Sequence, residues 1–136
     1  MLTSKLIHPQ IMAALAFCGH GSKVLIADGN YPLQEKSGNA QKVYLGLVPG
    51  TPTVTEVLQA VLSVVNVEKM EVMEPEEGPE PEIFAEFRQI LPEAEFVKLG
   101  RYPFYDACMA ENAVVLAIST GEQRVFANVL ITVGCA

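Results

Sequence analysis

The sequence predicts an α/β fold, a single layered domain whose helices pack on a mostly parallel or mixed sheet. Apolar strand segments and amphipathic helix segments alternate along the whole chain, which is the pattern of a layered α/β domain. The chain has 136 residues, of which 50% are hydrophobic, and this is enough for one buried core but short for two ordinary domains. We therefore expect residues 1–136 to form one domain.

The first elements are a helix and a buried strand. Pro9 is favoured at the first position of a helix and Gly19 is typical of its end, so we expect the first helix between them. Residues 23–28 are an apolar run that ends in the carboxylate of Asp28 and is followed by turn residues, which indicates a buried strand. A second strand is expected over residues 41–48, where a Pro- and Gly-containing segment ends it.

The second helix has the clearest local signal in the chain. Thr53 and Glu56 have the spacing of a capping box, in which each side chain accepts a hydrogen bond from the other residue's backbone N–H. The apolar residues that follow have helical spacing and define one face. They are Val54, Val57, Leu58, Val61, Leu62 and Val65.

The rest of the chain continues the alternation around one biased segment. Residues 74–82 are rich in Pro and Glu, so we expect an acidic, solvated loop there. The other expected elements are a strand over 67–73, a helix over 83–91, a strand over 96–99, a helix from Pro103 to about Glu111, and strands over 113–118 and 129–133.

The net charge argues against nucleic acid as a partner. The chain carries −7 at neutral pH, whereas phosphate binding needs a cationic surface. Residues 56–95 hold eleven acidic and two basic residues, a net −9, and the remainder holds five acidic and seven basic residues, a net +2. We interpret the acidic region mainly as charge that maintains solubility, with a cation site as the alternative.

The hydropathy predicts association between copies of the chain. The mean hydropathy is +0.28, which is high for a small monomer. The most apolar segment, residues 54–67, is interrupted by polar side chains and is shorter than the roughly 18 to 20 apolar residues that cross a bilayer. A membrane partner is therefore not expected, and burial between subunits of a homo-oligomer is the leading explanation for the surplus apolar surface.

The cysteines predict neither a disulfide framework nor a metal site. Cys18, Cys108 and Cys135 are odd in number and far apart, and they form no Cys-x-x-Cys pair. We expect buried thiols and no metal.

Chemistry at the N-terminal end of the chain centres on His20 and Asp28. The sequence contains none of the common phosphate-loop, hydrolase, zinc-protease or dinucleotide motifs. His20 lies between two glycines, and an imidazole suits proton transfer near neutral pH. The alternative is structural: His20 caps the first helix and Asp28 caps a turn. His8, beside Pro9, is interpreted as structural.

A second candidate cluster lies near the C-terminal end. It contains Arg101, Tyr105, Phe126 and Asn128. Together these side chains offer hydrogen bonds to hydroxyl groups and an aromatic surface for C–H groups, which is the chemistry that a neutral sugar needs. Core aromatics and a surface arginine would give the same pattern, so both readings stay open on the residues alone.

The order of these motifs resembles the ribose pyranase and fucose mutarotase (RbsD/FucU) family. The matching features are Gly19-His20-Gly21 before a strand that ends at Asp28, the Arg101–Tyr105 segment, Thr120-Gly121-Glu122, and Phe126-Ala127-Asn128. The resemblance implies a cytoplasmic aldose mutarotase that forms a ring-shaped homo-oligomer, typically a decamer. It also implies sites near subunit contacts and no metal or organic cofactor.

The resemblance also implies roles for single residues. His20 corresponds to the family's acid/base histidine and Asp28 to a ligand of the sugar hydroxyls. Arg101 corresponds to the arginine of the fucose branch, and residues 126–128 to the aromatic-small-Asn triplet that binds the sugar. The chain departs from the family at Ser22, where an acidic residue is common.

A second departure is Phe126, where the family commonly has a tyrosine. The lost hydroxyl removes a hydrogen bond or proton carrier, and Tyr105 is the candidate to replace it. We expect Phe126 or Tyr105 to stack on the sugar.

Several functions follow as expectations. We favour interconversion of the anomers or ring forms of L-fucose, with D-ribose pyranase activity as the nearest alternative. A non-catalytic monosaccharide-binding or transport-accessory protein would bind sugar without accelerating exchange. An oligomeric regulator of another small ligand would bind no monosaccharide.

Overall fold

A computed structural model describes residues 1–136 as four helices packed on a six-stranded mixed sheet, which confirms the predicted α/β fold class. The helices are α1 (Pro9–Ala16), α2 (Val54–Leu62), α3 (Glu82–Ile90) and α4 (Arg101–Cys108). The strands are β1 (Lys23–Ala27), β2 (Gln41–Tyr44), β3 (Val67–Met73), β4 (Glu95–Leu99), β5 (Val114–Ser119) and β6 (Val129–Val133).

The sheet has the strand order β2-β5-β1-β6-β3-β4, and only β6 runs against its neighbours. The ends of the five parallel strands therefore meet the start of β6 at one edge of the sheet. We call this the carboxyl edge, which includes residues 28–30, 74–81, 100–102 and 120–128. The amino edge is opposite and includes residues 19–22, 66–68 and 134–136.

Two apolar layers hold the sheet, one on each face. The larger cluster has 21 buried residues and joins α1, α2 and α3 to one face, where Phe84 and Phe87 of α3 are fully buried. The smaller cluster has 11 buried residues and joins Phe104 and Cys108 of α4 to the other face. A Phe→Ala change in such a core typically costs about 3–5 kcal/mol of unfolding free energy, so these rings are major anchors of the layers.

The second helix forms as its local signals predict. The Thr53 hydroxyl accepts a hydrogen bond from the Glu56 N–H at 3.2 Å, and the Glu56 carboxylate accepts one from the Thr53 N–H at 2.7 Å. The predicted face is buried from Val54 to Val61. The helix ends at Leu62, so Val65 lies beyond it and is half-buried.

Three predicted elements have boundaries that are wrong by two residues or more, and one of them, α4, also ends at Cys108 rather than near Glu111. The second strand stops at Tyr44 rather than residue 48, because its one partner, β5, ends at Ser119. The first helix stops at Ala16, three residues before Gly19. The fourth helix begins two residues before Pro103, which sits in the first turn where its missing N–H removes no helical hydrogen bond.

The remaining predictions are partly confirmed. Residues 74–81 form the expected loop, and Glu82 begins α3. Burial of Cys108 is confirmed and raises its pKa to about 12, but Cys18 is half-buried and Cys135, which follows the end of β6, is exposed. Each helix is too short and not apolar enough to cross a membrane.

Candidate functional site

Asp28 follows β1 at the carboxyl edge, and its carboxylate is held by backbone donors. One oxygen accepts a hydrogen bond from the Asn30 N–H at 2.9 Å, and the other accepts one from the Ala127 N–H at 3.1 Å. The amide oxygen of Asn128 accepts the Asp28 N–H at 2.8 Å. Burial raises the pKa of Asp28 above its ordinary value, although these hydrogen bonds oppose the shift. Asp28 and Asn128 therefore form one buried unit with the start of β6.

The loop after β5 is fitted tightly against its neighbours. The Thr120 hydroxyl donates to the Ala27 carbonyl at 2.8 Å, and the Gly121 N–H donates to the Pro52 carbonyl at 2.9 Å. A Cβ at Gly121 would overlap the backbone of Thr51. Because only glycine fits there, the loop can approach the start of α2 closely.

Glu122 is a buried carboxylate that the sequence did not single out as a site residue. Arg124 donates to it from Nε at 3.0 Å and from Nη2 at 3.1 Å, and the Val54 N–H at the start of α2 lies 3.4 Å from its Oε2. Arg124 also donates to Glu86 of α3 at 2.8 Å. The Arg124 hydrogen bonds are the main reason that the pKa of Glu122 lies below its ordinary value. This network ties the loop to two helices.

Phe126 lies between this network and the Asp28 unit. Its φ of 58° is in the left-handed region, which bulky side chains rarely adopt. The strained backbone turns the Ala127 N–H onto Asp28. Its half-buried side chain lines a groove of about 470 Å³ that Val125 and the acidic loop 74–82 also line. The structure thus places the acidic loop beside a predicted sugar-binding residue.

Arg101 and Tyr105 lie farther along the same edge. Arg101 begins α4 directly after β4, is exposed and forms no ion pair. The β1 and β4 strands are three strand spacings apart, or about 14 Å, so Arg101 does not contact Asp28. The half-buried Tyr105 ring packs edge-on against Tyr31 with a centroid distance of 5.6 Å. Tyr31, which the sequence reading missed, belongs to the turn after Asp28 and connects these two regions.

His20 lies at the amino edge in a tight turn. Gly21 has a φ of 90° and its N–H donates to the Val133 carbonyl at 2.8 Å, so glycine is required there. The Ser22 hydroxyl accepts the Gly19 N–H at 3.1 Å. The His20 side chain is 58% exposed, and its Nε2 lies 3.0 Å from one carboxylate oxygen of Glu68 and 3.1 Å from the other.

The structure does not bring His20 and Asp28 together within one chain. They flank opposite ends of β1, whose five residues alone span about 16 Å. The two candidate residues are therefore divided between the two edges. The structural alternative is wrong for His20, because Phe17 is the C-cap of α1. A structural role is consistent with Asp28, whose carboxylate accepts the N–H of Asn30 in the following turn. It is also consistent with His8, whose Nδ1 accepts the Ile11 N–H at the start of α1.

The two edges offer different chemistry. The carboxyl edge combines a carboxylate, an amide, an aromatic ring and a free guanidinium, which suits a neutral polyol. The amino edge offers an accessible imidazole beside a groove of about 610 Å³ lined mostly by apolar residues. A larger groove, about 700 Å³ between α2 and α3, contains none of the predicted site residues. The structure contains no cluster of three or more His, Cys, Asp or Glu side chains placed to hold a metal ion.

Comparisons with known proteins match the chain over almost its whole length. A D-ribose pyranase of Clostridium perfringens is 25% identical over 134 residues, which cover 98% of each chain. The structure of Bacillus subtilis RbsD in complex with D-ribose superposes with a TM-score of 0.87 at 23% identity, over 100% of this chain and 99% of that one. Streptococcus pneumoniae fucose mutarotase in complex with L-fucose superposes with a TM-score of 0.81 at 23% identity, over 96% and 94% of the two chains. Residues 1–136 match the family described as RbsD / FucU transport protein, and the chain belongs to that family.

Proposed function

We propose that this protein is a cytoplasmic aldose mutarotase, an isomerase that interconverts the anomers or ring forms of a monosaccharide. The observation that carries the proposal is the buried Asp28–Asn128 unit beside Phe126, in a chain whose family includes relatives named D-ribose pyranase and fucose mutarotase. We put L-fucose first because Arg101 begins α4 and is free to meet a hydroxyl. D-ribose is the second candidate, since relatives that are 25% and 29% identical are named D-ribose pyranase.

The carboxyl edge supplies the binding half of the proposed site. Each Asp28 oxygen accepts a hydrogen bond from one backbone N–H, and a carboxylate oxygen has the capacity to accept a second one from a hydroxyl. Asp28 is only 2% exposed, so the sugar meets the outer edge of this carboxylate rather than surrounding it. Asn128 holds the unit in place, Arg101 contributes a donor, and Phe126 or Tyr105 offers the aromatic surface.

In this proposal His20 is the general acid/base that transfers protons to and from the sugar. In ring opening, a proton reaches the ring oxygen as its bond to the anomeric carbon breaks, and a proton leaves the anomeric hydroxyl as the carbonyl forms. Ring closure on the other face reverses both transfers, so the sugar keeps its composition. A positioned general acid/base contributes roughly 10²- to 10⁴-fold, which is sufficient for this reaction and needs no metal or cofactor.

Because His20 and Asp28 lie at opposite edges, the proposed site requires two copies of the chain. Exposed apolar side chains are available at both edges: Phe17 and Val64 at the amino edge, and Leu47, Val48 and Val125 at the carboxyl edge. Contact between the amino edge of one copy and the carboxyl edge of the next is a head-to-tail association. Such an association forms a closed ring when the rotation that relates successive copies brings the last copy back to the first. We propose such a homo-oligomer, with the decamer that the family resemblance implies as the expected size.

Saturation-transfer NMR on equilibrated sugars tests the proposed activity. We expect the protein to accelerate exchange between anomers or ring forms for L-fucose or D-ribose within a panel of aldoses. Sugar binding without acceleration would instead support the non-catalytic binding or transport-accessory function, which the missing hydroxyl of Phe126 favours. Absence of any monosaccharide binding would favour a regulator of another ligand.

Mixing two inactive variants tests the shared site. A ring of His20→Ala copies and a ring of Asp28→Ala copies each lack one half of every site. Dissociating and reassembling them in equal amounts should restore about a quarter of the sites. In a random mixture, a copy that retains His20 contacts a copy that retains Asp28 at about one contact in four. No recovery from a properly reassembled mixture would contradict a site made by two copies. A monomer in size-exclusion chromatography with light scattering would contradict it as well.

A further inference from the structure

The structure gives His20 a carboxylate partner that is distant in sequence. Glu68, at the start of β3, lies 48 residues from His20, yet both of its carboxylate oxygens are within 3.1 Å of Nε2. The thiols of Cys18 and Cys135 line the same groove, but the salt bridge with Glu68 is the only one that His20 makes. The imidazole is therefore oriented through one nitrogen, and its other nitrogen has no protein partner.

Ser22 cannot orient the imidazole in the way that the family's acidic residue at that position could. Its hydroxyl accepts the Gly19 N–H and its backbone closes the turn with the Gly19 carbonyl, so the side chain is used within the turn. A serine also has no negative charge to stabilise an imidazolium. The carboxylate that contacts His20 belongs to Glu68 of β3.

A second observation shows that the position of Glu68 is fitted. Gly134 follows β6, and its N–H donates to the Asn66 carbonyl beside the start of β3. A Cβ at Gly134 would lie 3.3 Å from the Glu68 Cβ and 3.5 Å from its Oε2. The first of these distances is tighter than ordinary van der Waals contact. Glycine at this position leaves the space in which the Glu68 side chain bends toward His20.

We propose that Glu68 is the positioning residue of His20, an inference that rests on the proposed mutarotase function. Its carboxylate accepts the Nε2 proton and so fixes the tautomer in which Nδ1 is free to exchange a proton with the sugar. When His20 takes up that proton, Glu68 stabilises the resulting positive charge. The partner of one ring nitrogen sets the role of the other, as in other histidines that are oriented by a carboxylate.

The test uses Glu68→Gln, which keeps the side-chain shape and removes the charge. We expect the exchange rate at saturating sugar to fall about tenfold to a hundredfold while the sugar affinity stays within about twofold, because Glu68 does not touch the sugar. Ser22→Asp added to Glu68→Gln should recover part of the rate by returning a carboxylate to the turn. The matched control is Glu95→Gln, which removes an exposed carboxylate that forms no ion pair and should leave the rate unchanged.

A spectroscopic measurement separates this inference from the proposed function. In ¹⁵N NMR of the assembled parent protein, His20 should be the Nε2–H tautomer when neutral, and Glu68→Gln should give a mixture of tautomers. A parent His20 that is mainly the Nδ1–H tautomer would overturn the inference even if no sugar is turned over. If the parent protein accelerates exchange and Glu68→Gln does so equally, the inference is also wrong, whereas the mutarotase proposal stands.

Discussion

The carboxyl and amino edges of the sheet differ in how firmly their functional groups are held. At the carboxyl edge, Asp28 and Asn128 are both almost fully buried and joined to the backbone of two strands. At the amino edge, His20 is more than half exposed and is oriented by one carboxylate, that of Glu68. One edge is thus organised before any ligand arrives, and the other presents a group that reaches outward. The proposed site uses the first for binding and the second for chemistry.

Replacing His20 should have the largest effect and should separate the two edges functionally. We expect His20→Ala to slow sugar exchange by roughly 10²- to 10⁴-fold while sugar affinity changes little, since it removes a general acid/base. Asp28→Ala should instead weaken sugar binding. Saturation-transfer NMR and isothermal titration measure the two effects.

His8→Ala is the matched histidine control. It removes the N-cap of α1 and should cost about 1 kcal/mol of stability without slowing exchange. If His20→Ala exchanged sugars as fast as the parent protein, the division of labour between the edges would be wrong.

Replacing Glu122 should weaken the carboxyl edge in a pH-dependent way. Glu122→Gln removes the charge that Arg124 binds, so we expect a loss of about 1–3 kcal/mol in unfolding free energy at neutral pH. The pKa of Glu122 is lowered in the folded protein, so its stabilisation is complete above its ordinary value near 4.5 and disappears as the pH falls through the folded pKa. Urea unfolding at pH 7 and near pH 3 should show the parent and the variant converging in acid. An unchanged difference between them at both pH values would contradict this account.

The acidic loop should make the carboxyl edge discriminate by charge. Glu76, Glu77 and Glu82 form no ion pair. The cations beside this loop are paired with carboxylates; they are Arg88, Lys98 and Arg124. Arg101, farther along the same edge, is unpaired. A phosphate ester of the preferred sugar should therefore bind about threefold to tenfold more weakly than the neutral sugar, and added salt should reduce the difference.

Changing all three unpaired glutamates to glutamine should diminish this discrimination in competition binding. Glu93→Gln is the control, because it removes an exposed carboxylate just before β4 at the opposite edge. Equal effects of the two changes would show that net charge, rather than the loop, is responsible.

The smallest effect should come from the strained backbone at Phe126. A left-handed conformation costs a side-chain-bearing residue about 1 kcal/mol or more relative to glycine. Phe126→Gly should therefore be about 1 kcal/mol more stable than Phe126→Ala in urea unfolding, although glycine is usually the less stabilising residue. Both variants lose the ring and should weaken sugar binding equally. An alanine variant that is the more stable of the two would show that this conformation is not retained.

Much of the fold followed from local signals. The capping box of Thr53 and Glu56 and the apolar spacing after it predict α2, and the strand over 129–133 is observed with the same bounds. The strand over 41–48 was predicted too long because Leu47 and Val48 are apolar. Strand pairing depends on a partner elsewhere in the chain, and β5 provides none for them.

Less of the site could be predicted, because it depends on contacts between distant segments. The Asp28–Asn128 unit joins residues 100 apart, and Glu68 meets His20 across 48 residues, so no local pattern indicates either pairing. The separation of His20 from Asp28 was predictable, however. A strand between two residues places them at its opposite ends.

The opposite placement of His20 and Asp28 also has a consequence for mass action under the proposed function. An open row of copies has one completed site fewer than it has chains, whereas a closed ring has one site for every chain. A lone chain has none. Specific activity would then rise with protein concentration until the rings are closed, and dilution alone would lower the specific activity.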